Sequence, residues 1–331
     1  MVAGAVSKPN SNFKGIRPFD SSRDLFGVGQ VLEEAFRPEG NFPLANVPFL
    51  RDAGIFLWTL GYAPLFPDRV SGFVFVQDGK IVGNITLTLD EGRLDRYFIS
   101  NVAVRTAYRH RGIARELLQT AIKDLRAQKI SWALLNVRPD NPEAIQLYEH
   151  LGFQQLEMNG EWILSQPSHR ASRLAASQKK NVLRPLRSSD HFAVKELIRA
   201  ATPANVLQFR APRLLPFNLT WDDRVAEMAT DFFLRQTTRR WGLEENGNLC
   251  ALLSVIAQRG PLPHRLAIQV HPAQRGAIEK ELIAFGLDEL EKFPSRRIHA
   301  TGTSTHPELI AALEENEFKF ARGLTLMALA L

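Results

Sequence analysis

The sequence is poor in cysteine, since Cys250 is the single one among 331 residues. One thiol excludes an internal disulfide and a cysteine-rich metal site, so we expect no bound metal. It also suits a reducing compartment, and we expect a cytoplasmic protein. The sequence lacks G-x-x-x-x-G-K-[ST], and it lacks G-x-G-x-x-G after a strand. These two absences argue against the common folds that bind mononucleotides and dinucleotides.

Long apolar runs are also missing. The first 15 residues contain no apolar core of the kind found in signal peptides. The most apolar region is 41–67, and Pro64 and Pro67 interrupt it. It falls short of the roughly 18 unbroken apolar residues that a membrane-spanning helix needs. We therefore expect a buried wall or an interface here and no membrane contact.

The net charge of +6 is concentrated in a short stretch. Residues 1–165 carry 18 basic and 18 acidic residues, and residues 181–331 carry 19 and 17. Residues 166–180 carry four basic residues and no acidic one. A protein that binds nucleic acid is expected to show a basic face on a folded domain. We interpret 166–180 as a solvated basic linker and expect no nucleic-acid partner.

The two halves that flank this linker repeat each other weakly. Residues 15–24 (GIRPFDSSRD) align with 182–191 (VLRPLRSSDH), and residues 141–153 align with 306–318. Both pairs lie at an offset of about 165 residues, which indicates a duplicated fold, although short segments can also align by chance. We predict a first domain at 1–165, the linker at 166–180 and a second domain at 181–331.

The pattern of the first half is typical of a layered α/β domain. The sequence predicts a strand at GIRPF, a helix near 22–36, and a hairpin that turns at Asp78-Gly79. A βαβ unit with parallel strands then follows. It consists of strand 97–104, a helix over about 112–127 with one apolar stripe, and strand 132–137. Asn141 and Pro142 suit the start of a further helix, which Gly152 ends.

The segment AYRHRGIARELL (107–118) lies at the join between strand 97–104 and the next helix. A helix N-terminus offers unpaired N–H groups and partial positive charge, and Gly112 allows close approach of an anion. Arg109 and Arg111 add cationic charge beside it. The residues predict a site for a pyrophosphate group.

Two motifs give the chain a family resemblance. The first is R-x-x-G-x-A after the strand, at Arg109, Gly112 and Ala114. The second is N-x-x-A-x-x-L-Y-x-x-x-G-F, at Asn141, Ala144, Leu147, Tyr148, Gly152 and Phe153. Together they resemble the GNAT superfamily of N-acetyltransferases, and residues 97–153 are most similar to its ribosomal-protein alanine N-acetyltransferase branch. The implied fold is α/β with two tandem GNAT-like domains, each a mixed twisted central sheet flanked by helices.

The resemblance implies an N-acetyltransferase that uses acetyl-CoA as the acetyl donor. Such an enzyme belongs to the acyltransferases that transfer groups other than aminoacyl groups. Acetyl-CoA would lie along strand 99–104, which would diverge from strand 132–137. The pyrophosphate would lie on the amides of 109–114. Tyr148 is implied as the acid that protonates the departing thiolate, and a buried core tyrosine is the alternative. The implied cofactor contacts are Val102, Ala103, Val104, Arg109, His110, Arg111, Gly112, Ile113, Ala114, Asn141 and Ala144. Asn141 could also be a helix cap alone.

The chain departs from the resemblance at two places, at Asn136 and in the second half. The related branch carries a glutamate base in an L-E-V-R string, where this chain has Asn136, and spacing does not select a substitute such as Asp95 or Glu157. The aromatic residues Phe49, Phe56, Trp58, Tyr62 and Phe66 either line an acceptor pocket or pack against the second domain. In the second half, Leu313 replaces Tyr148 and Glu317 replaces Gly152, so we expect a degenerate domain that covers the first or forms a homodimer.

The expected acceptor is the primary amine of a small molecule or of a protein N-terminus. An α-amino group, with a pKa near 8, needs less help to lose its proton than a lysine side chain does. The alternative function is that of a non-catalytic protein that binds acyl-CoA or takes part in interactions. It is favoured by Asn136 in place of a base and by the degenerate second domain.

Overall fold

The structure is a computed structural model that describes residues 13–36, 70–90, 93–165, 183–210, 217 and 220–331. Within these residues the chain forms two compact units. No helix among them has the length and apolar character needed to cross a bilayer.

The first unit, called unit 1, contains the predicted βαβ arrangement. Its elements are β1 (Gly15–Pro18), α1 (Ser21–Phe36), β2 (Val70–Gln77), β3 (Lys80–Leu89), β4 (Arg96–Val104), α2 (Ile113–Ala127), β5 (Trp132–Val137) and α3 (Pro142–His150). Strands β1 to β4 are antiparallel neighbours, and β5 runs parallel to β4. The helices and strands predicted for this half are confirmed, with boundaries that differ by one or two residues.

Local sequence explains these elements. Asp78 and Gly79 both have positive φ (52° and 70°), as a two-residue turn between β2 and β3 requires. In α2 the apolar stripe of the sequence is the buried face: Ile113, Leu117, Leu118, Ala121, Ile122 and Leu125. This face packs on the sheet against Phe75, Ile85, Leu87 and Leu135. Burial of such a stripe is the main stabilisation available to a helix of this length.

The second unit, called unit 2, repeats the pairing pattern of unit 1. Its elements are β6 (Gln154–Leu164), β7 (Leu183–Pro185), α4 (His191–Ala201), α5 (Ala204–Leu207), α6 (Trp221–Phe233), β8 (Gln236–Glu245), β9 (Asn248–Gln258), β10 (His264–Val270), α7 (Glu279–Leu290), β11 (Ile298–Thr303), α8 (Pro307–Glu315) and β12 (Lys319–Ala330). Strands β7 to β10 are antiparallel neighbours and β11 is parallel to β10. The α/β fold class is confirmed.

The units depart from the predicted division because they exchange their final strands. Residues 156–164 of β6 belong to unit 2, where β6 pairs antiparallel with β11. The last six residues of the chain belong to unit 1, and the Leu331 N–H donates to the Ser131 carbonyl at 3.0 Å. Met327 and Leu329 pack into the core of unit 1, whereas Trp162 and Leu164 pack into that of unit 2.

Candidate active site

Strands β4 and β5 run together for part of their length and then separate. Their parallel pairing extends from Arg96–Trp132 to Ile99–Leu135. Strand β4 continues to Val104, so its last five residues have no partner on β5. Within the described residues, the backbone groups on this edge are free to bond to an extended ligand.

A bulge in β4 begins where this separation starts. The register between β3 and β4 shifts because Asn101 and Val102 lie opposite the single residue Ile85. Asn101 has a φ of 53°, a conformation that asparagine tolerates better than most residues.

A small polar network holds this bulge. Asn84 is 2% exposed, and its amide donates to the Asn101 carbonyl at 3.1 Å and to Thr86 Oγ1 at 3.3 Å. Asn101 Nδ2 donates to the same hydroxyl at 3.2 Å. Sequence reasoning missed this network. The available signal was an asparagine inside the β-rich run FISNVAV.

The turn before α2 exposes a row of backbone N–H groups. His110 and Gly112 both have positive φ (59° and 81°). The first hydrogen bond of α2 runs from the Glu116 N–H to the Gly112 carbonyl at 3.0 Å, so the N–H groups of 113–115 precede it. Among the described residues, a Cβ built on Gly112 would meet one atom within 4 Å, Glu116 Oε1. The part of the chain that the structure describes leaves the space in front of these amides open, as anion binding requires.

The two arginines of the turn are exposed and partly anchored. Arg109 Nε donates to the Val104 carbonyl at 3.2 Å, which folds this side chain over the end of β4. Arg111 donates to the Ala107 carbonyl at 2.9 Å and lies 5.1 Å from the centre of the Tyr108 ring. These contacts place positive charge at the turn without filling it.

Tyr148 lies on the buried face of α3. The residue is 8% exposed, and its ring packs edge-to-face against Phe153 at 5.9 Å. Burial raises the pKa of the Tyr148 hydroxyl to about 12, from 10.0. The phenol therefore keeps its proton at neutral pH.

Asn141 caps α3. Its side-chain oxygen accepts from the Ala144 N–H at 3.1 Å, and Pro142 occupies the first helical position. The helix ends at His150, and Gly152 has a φ of 94°. A Cβ at Gly152 would lie 3.2 Å from Leu329, so glycine also serves the packing of the last strand.

Replacing Asn141 by alanine is expected to lower the free energy of unfolding by about 1 kcal/mol, because the Ala144 N–H loses its acceptor. Asn141→Asp, which keeps the acceptor, is the control. Chemical denaturation of the three proteins measures the difference. An unfolding free energy equal to that of the wild type in Asn141→Ala would show that the cap contributes nothing.

Half of the predicted site residues belong to one apolar cluster or pack against it. One apolar cluster of unit 1 contains Val104, Ile113 and Tyr148, with Val102, Ala114 and Ala144 packed against it. Ala103 differs from them. It pairs with Asn84 in the β3–β4 ladder and packs on the opposite face of the sheet, against Val28, Val31 and Val76. Its contact with the cofactor stays a prediction.

The structure does not support any of the three positions discussed above, Asn136, Asp95 and Glu157, as the general base. Asn136 is exposed on β5, and an amide cannot accept the proton of an ammonium group. Asp95 precedes β4, at the end opposite to the turn, and the hydrogen bond from Arg93 holds its pKa below the ordinary range. Glu157 is buried within unit 2, where it accepts from Arg210 at 2.6 Å. The aromatic residues of 49–66 and the linker 166–180 lie outside the described residues.

Comparison with known proteins identifies the family. Residues 35–153 match the model of the acetyltransferase (GNAT) family. The ribosomal protein bS18-alanine N-acetyltransferase of Salmonella typhimurium strain LT2 is 30% identical over 104 residues, which cover 29% of this chain and 70% of that protein. The chain belongs to the GNAT family.

Two further relatives define the extent of the similarity. The ribosomal protein bS18-alanine N-acetyltransferase of Escherichia coli K12 is 33% identical over 88 residues, 27% of this chain. The match spans 57% of that relative's length. The GCN5-related N-acetyltransferase structure from Sphaerobacter thermophilus aligns with a TM-score of 0.55 and 11% identity, covering 98% of this chain and 97% of that one. This likeness extends the fold assignment to both halves.

Proposed function

We propose that unit 1 transfers the acetyl group of acetyl-CoA to a primary amine. The observation that carries this proposal is the position of Tyr148. Its protonated phenol is buried in the same cluster as Val104 and Val137, on the two strands that separate. A proton donor in that position is what a departing thiolate requires.

The residues of unit 1 fit acetyl-CoA, which is the acyl donor and a substrate. The open amides of 113–115 and the exposed Arg109 and Arg111 suit a pyrophosphate. The unpaired edge of β4 beyond Ile99 offers backbone partners to the amide groups of the pantetheine arm. The Asn84–Asn101 network holds that edge in its bulged form.

The proposed reaction is a direct transfer. The neutral amine attacks the thioester carbonyl, a C–N bond forms, and the C–S bond breaks with its electron pair going to sulfur. Tyr148 gives its proton to the thiolate, the proton lost by the attacking nitrogen passes to solvent, and the Tyr148 phenolate regains a proton from solvent. A thiolate with an ordinary pKa of about 8.5 leaves more readily when a positioned donor meets it.

The acceptor we propose is an amine of low pKa, on a small molecule or at a protein N-terminus. Neither β4 nor β5 carries an aspartate or a glutamate, and the family resemblance implies a base where this chain has Asn136. Without a carboxylate on these two strands, an α-amino group, with a pKa near 8, supplies far more neutral amine at neutral pH than a lysine side chain does. The curated relatives, by name, act on an alanine of a ribosomal protein.

An amine screen tests this function. The protein is mixed with acetyl-CoA and a panel that contains peptides with a free N-terminal alanine, N-terminally blocked lysine peptides and small primary amines. Thiol release and the mass of the acceptor are both measured. We expect acetylation of at least one low-pKa amine. Saturable binding of acetyl-CoA with no acetylated product across the panel would favour the non-catalytic alternative.

A further inference from the structure

Unit 2 keeps the turn that unit 1 uses before α2. Arg275 and Gly276 correspond to Arg111 and Gly112, and the two glycines have φ values of 83° and 81°. The turn in unit 2 also joins a strand, β10, to a helix, α7. However, α7 begins three residues after its glycine, whereas α2 begins immediately after Gly112.

The amides of the turn in unit 2 are occupied by a side chain of the same unit. The Gly276 N–H donates to Glu279 Oε1 at 3.0 Å, and the Ile278 N–H donates to Glu279 Oε2 at 3.2 Å. Glu279 is 2% exposed. Counting from the two glycines, its counterpart in unit 1 is Arg115, which is exposed. The charge at this position is therefore reversed between the units.

A buried histidine completes the surroundings of Glu279. His306 Nε2 lies 2.8 Å from Glu279 Oε1, a distance at which an imidazole N–H donates. His306 is 4% exposed and precedes α8, as Asn141 precedes α3. Burial by itself would raise the pKa of Glu279. The hydrogen bonds from His306 and Gly276 outweigh burial, so the pKa of Glu279 lies below its ordinary value.

The arginine of the turn in unit 2 is also engaged. Arg275 donates to the Thr305 carbonyl at 2.6 Å and to the Ala201 carbonyl at 2.8 Å. Two buried or half-buried backbone acceptors thus hold the guanidinium inside unit 2. The exposed Arg111 makes one such bond, to Ala107. Both the amides and the cation that would meet a phosphate in unit 2 already have partners within the unit.

We propose that Glu279 is an internal anion that closes the phosphate-binding turn of unit 2, so that the chain binds a single acetyl-CoA, in unit 1. This inference rests on the proposed function for the site in unit 1. The turn of unit 2 keeps its backbone geometry because the carboxylate of Glu279 replaces the external anion. A bound phosphate would have to displace a buried, three-fold hydrogen-bonded carboxylate.

Amide NMR of the full chain tests the proposal. The signals of Gly276 and Gly112 are followed during titration with inorganic pyrophosphate and, separately, with acetyl-CoA. In the wild type we expect both ligands to shift the amide signal of Gly112 and to leave the amide signal of Gly276 unchanged. In Glu279→Ala, pyrophosphate should shift Gly276 with an affinity at least tenfold higher than in the wild type. Glu281→Gln, which removes a charge two residues along, is the matched control and should behave as the wild type.

The outcomes separate the two proposals. A Gly276 signal that responds equally in the wild type and in Glu279→Ala, or in neither, overturns the closing role of Glu279. A Gly112 signal that does not respond to acetyl-CoA overturns the site in unit 1. The test of Glu279, which compares the Gly276 signal of the wild type with that of Glu279→Ala, is still valid in that case. If Glu279→Ala does not fold, Glu279→Gln keeps the side-chain volume and must show the same direction of change. Arg115→Glu, the reciprocal change, should lower acetyl-CoA affinity in unit 1 about tenfold relative to Arg115→Gln.

Discussion

Replacing Tyr148 by phenylalanine is expected to lower the turnover of acetyl transfer by about 100-fold or more, while the affinity for acetyl-CoA changes less than twofold. Phenylalanine keeps the ring that packs against Phe153 and removes the only ionisable proton of the side chain. General acid catalysis by a positioned side chain typically contributes about 100-fold to 10,000-fold. Steady-state kinetics with an acceptor found in the amine screen measures turnover, and calorimetry measures affinity.

Tyr97 provides the matched control for this change. It packs half-buried against the same cluster, but it lies on the part of β4 that is still paired with β5. Tyr97→Phe should leave turnover within about twofold of the wild-type value. A Tyr148→Phe enzyme as active as the wild type would assign Tyr148 to the core alone. Because the pKa of Tyr148 is about 12, the wild-type enzyme should show no loss of activity from tyrosine ionisation below about pH 10.

Replacing Gly112 by valine is expected to weaken acetyl-CoA binding by about 100-fold. Gly112 has a φ of 81°, which a β-branched residue adopts only with strain, and the added side chain would stand in the open space before the amides of 113–115. The loss corresponds to about 2.7 kcal/mol, the size expected when one hydrogen bond to a charged group is lost. Calorimetric titration of acetyl-CoA measures it.

Gly79→Val separates strain from ligand contact. Gly79 has a φ of 70°, and among the described residues a Cβ there would meet no atom within 4 Å, so valine introduces comparable backbone strain in a turn outside the proposed site. Both variants should lose about 1–2 kcal/mol of unfolding free energy. Equal acetyl-CoA affinity in Gly112→Val and Gly79→Val would mean that the turn does not hold the pyrophosphate.

Much of unit 1 could be predicted from the sequence because its signals are local. The turn residues Asp78 and Gly79, the apolar stripe of α2 and the cap Asn141 each act within a few positions, and all three lie in the predicted places. The pairing of β4 with β5 follows from the right-handed crossover rule. The fold class followed once these elements were combined with the two motifs.

The strand exchange was not predictable because it depends on long-range pairing. Residues 141–153 and 306–318 are similar, so the strands that follow them, β6 and β12, arise in equivalent places. Periodicity does not show which unit each strand completes. The role of Glu279 was hidden for a similar reason. Its partner His306 is 27 residues away along the chain. The sequence alone therefore does not distinguish Glu279 from an exposed glutamate on a helix.

Calorimetric titration of acetyl-CoA into the full chain and into an Arg109→Ala, Arg111→Ala double variant tests the central claim most directly. The two arginines are the exposed cations of the turn in unit 1. We expect one molecule bound per wild-type chain and an affinity at least tenfold lower in the double variant. The absence of binding to the wild type, or equal affinity in both proteins, would contradict an acetyl-CoA site at this turn.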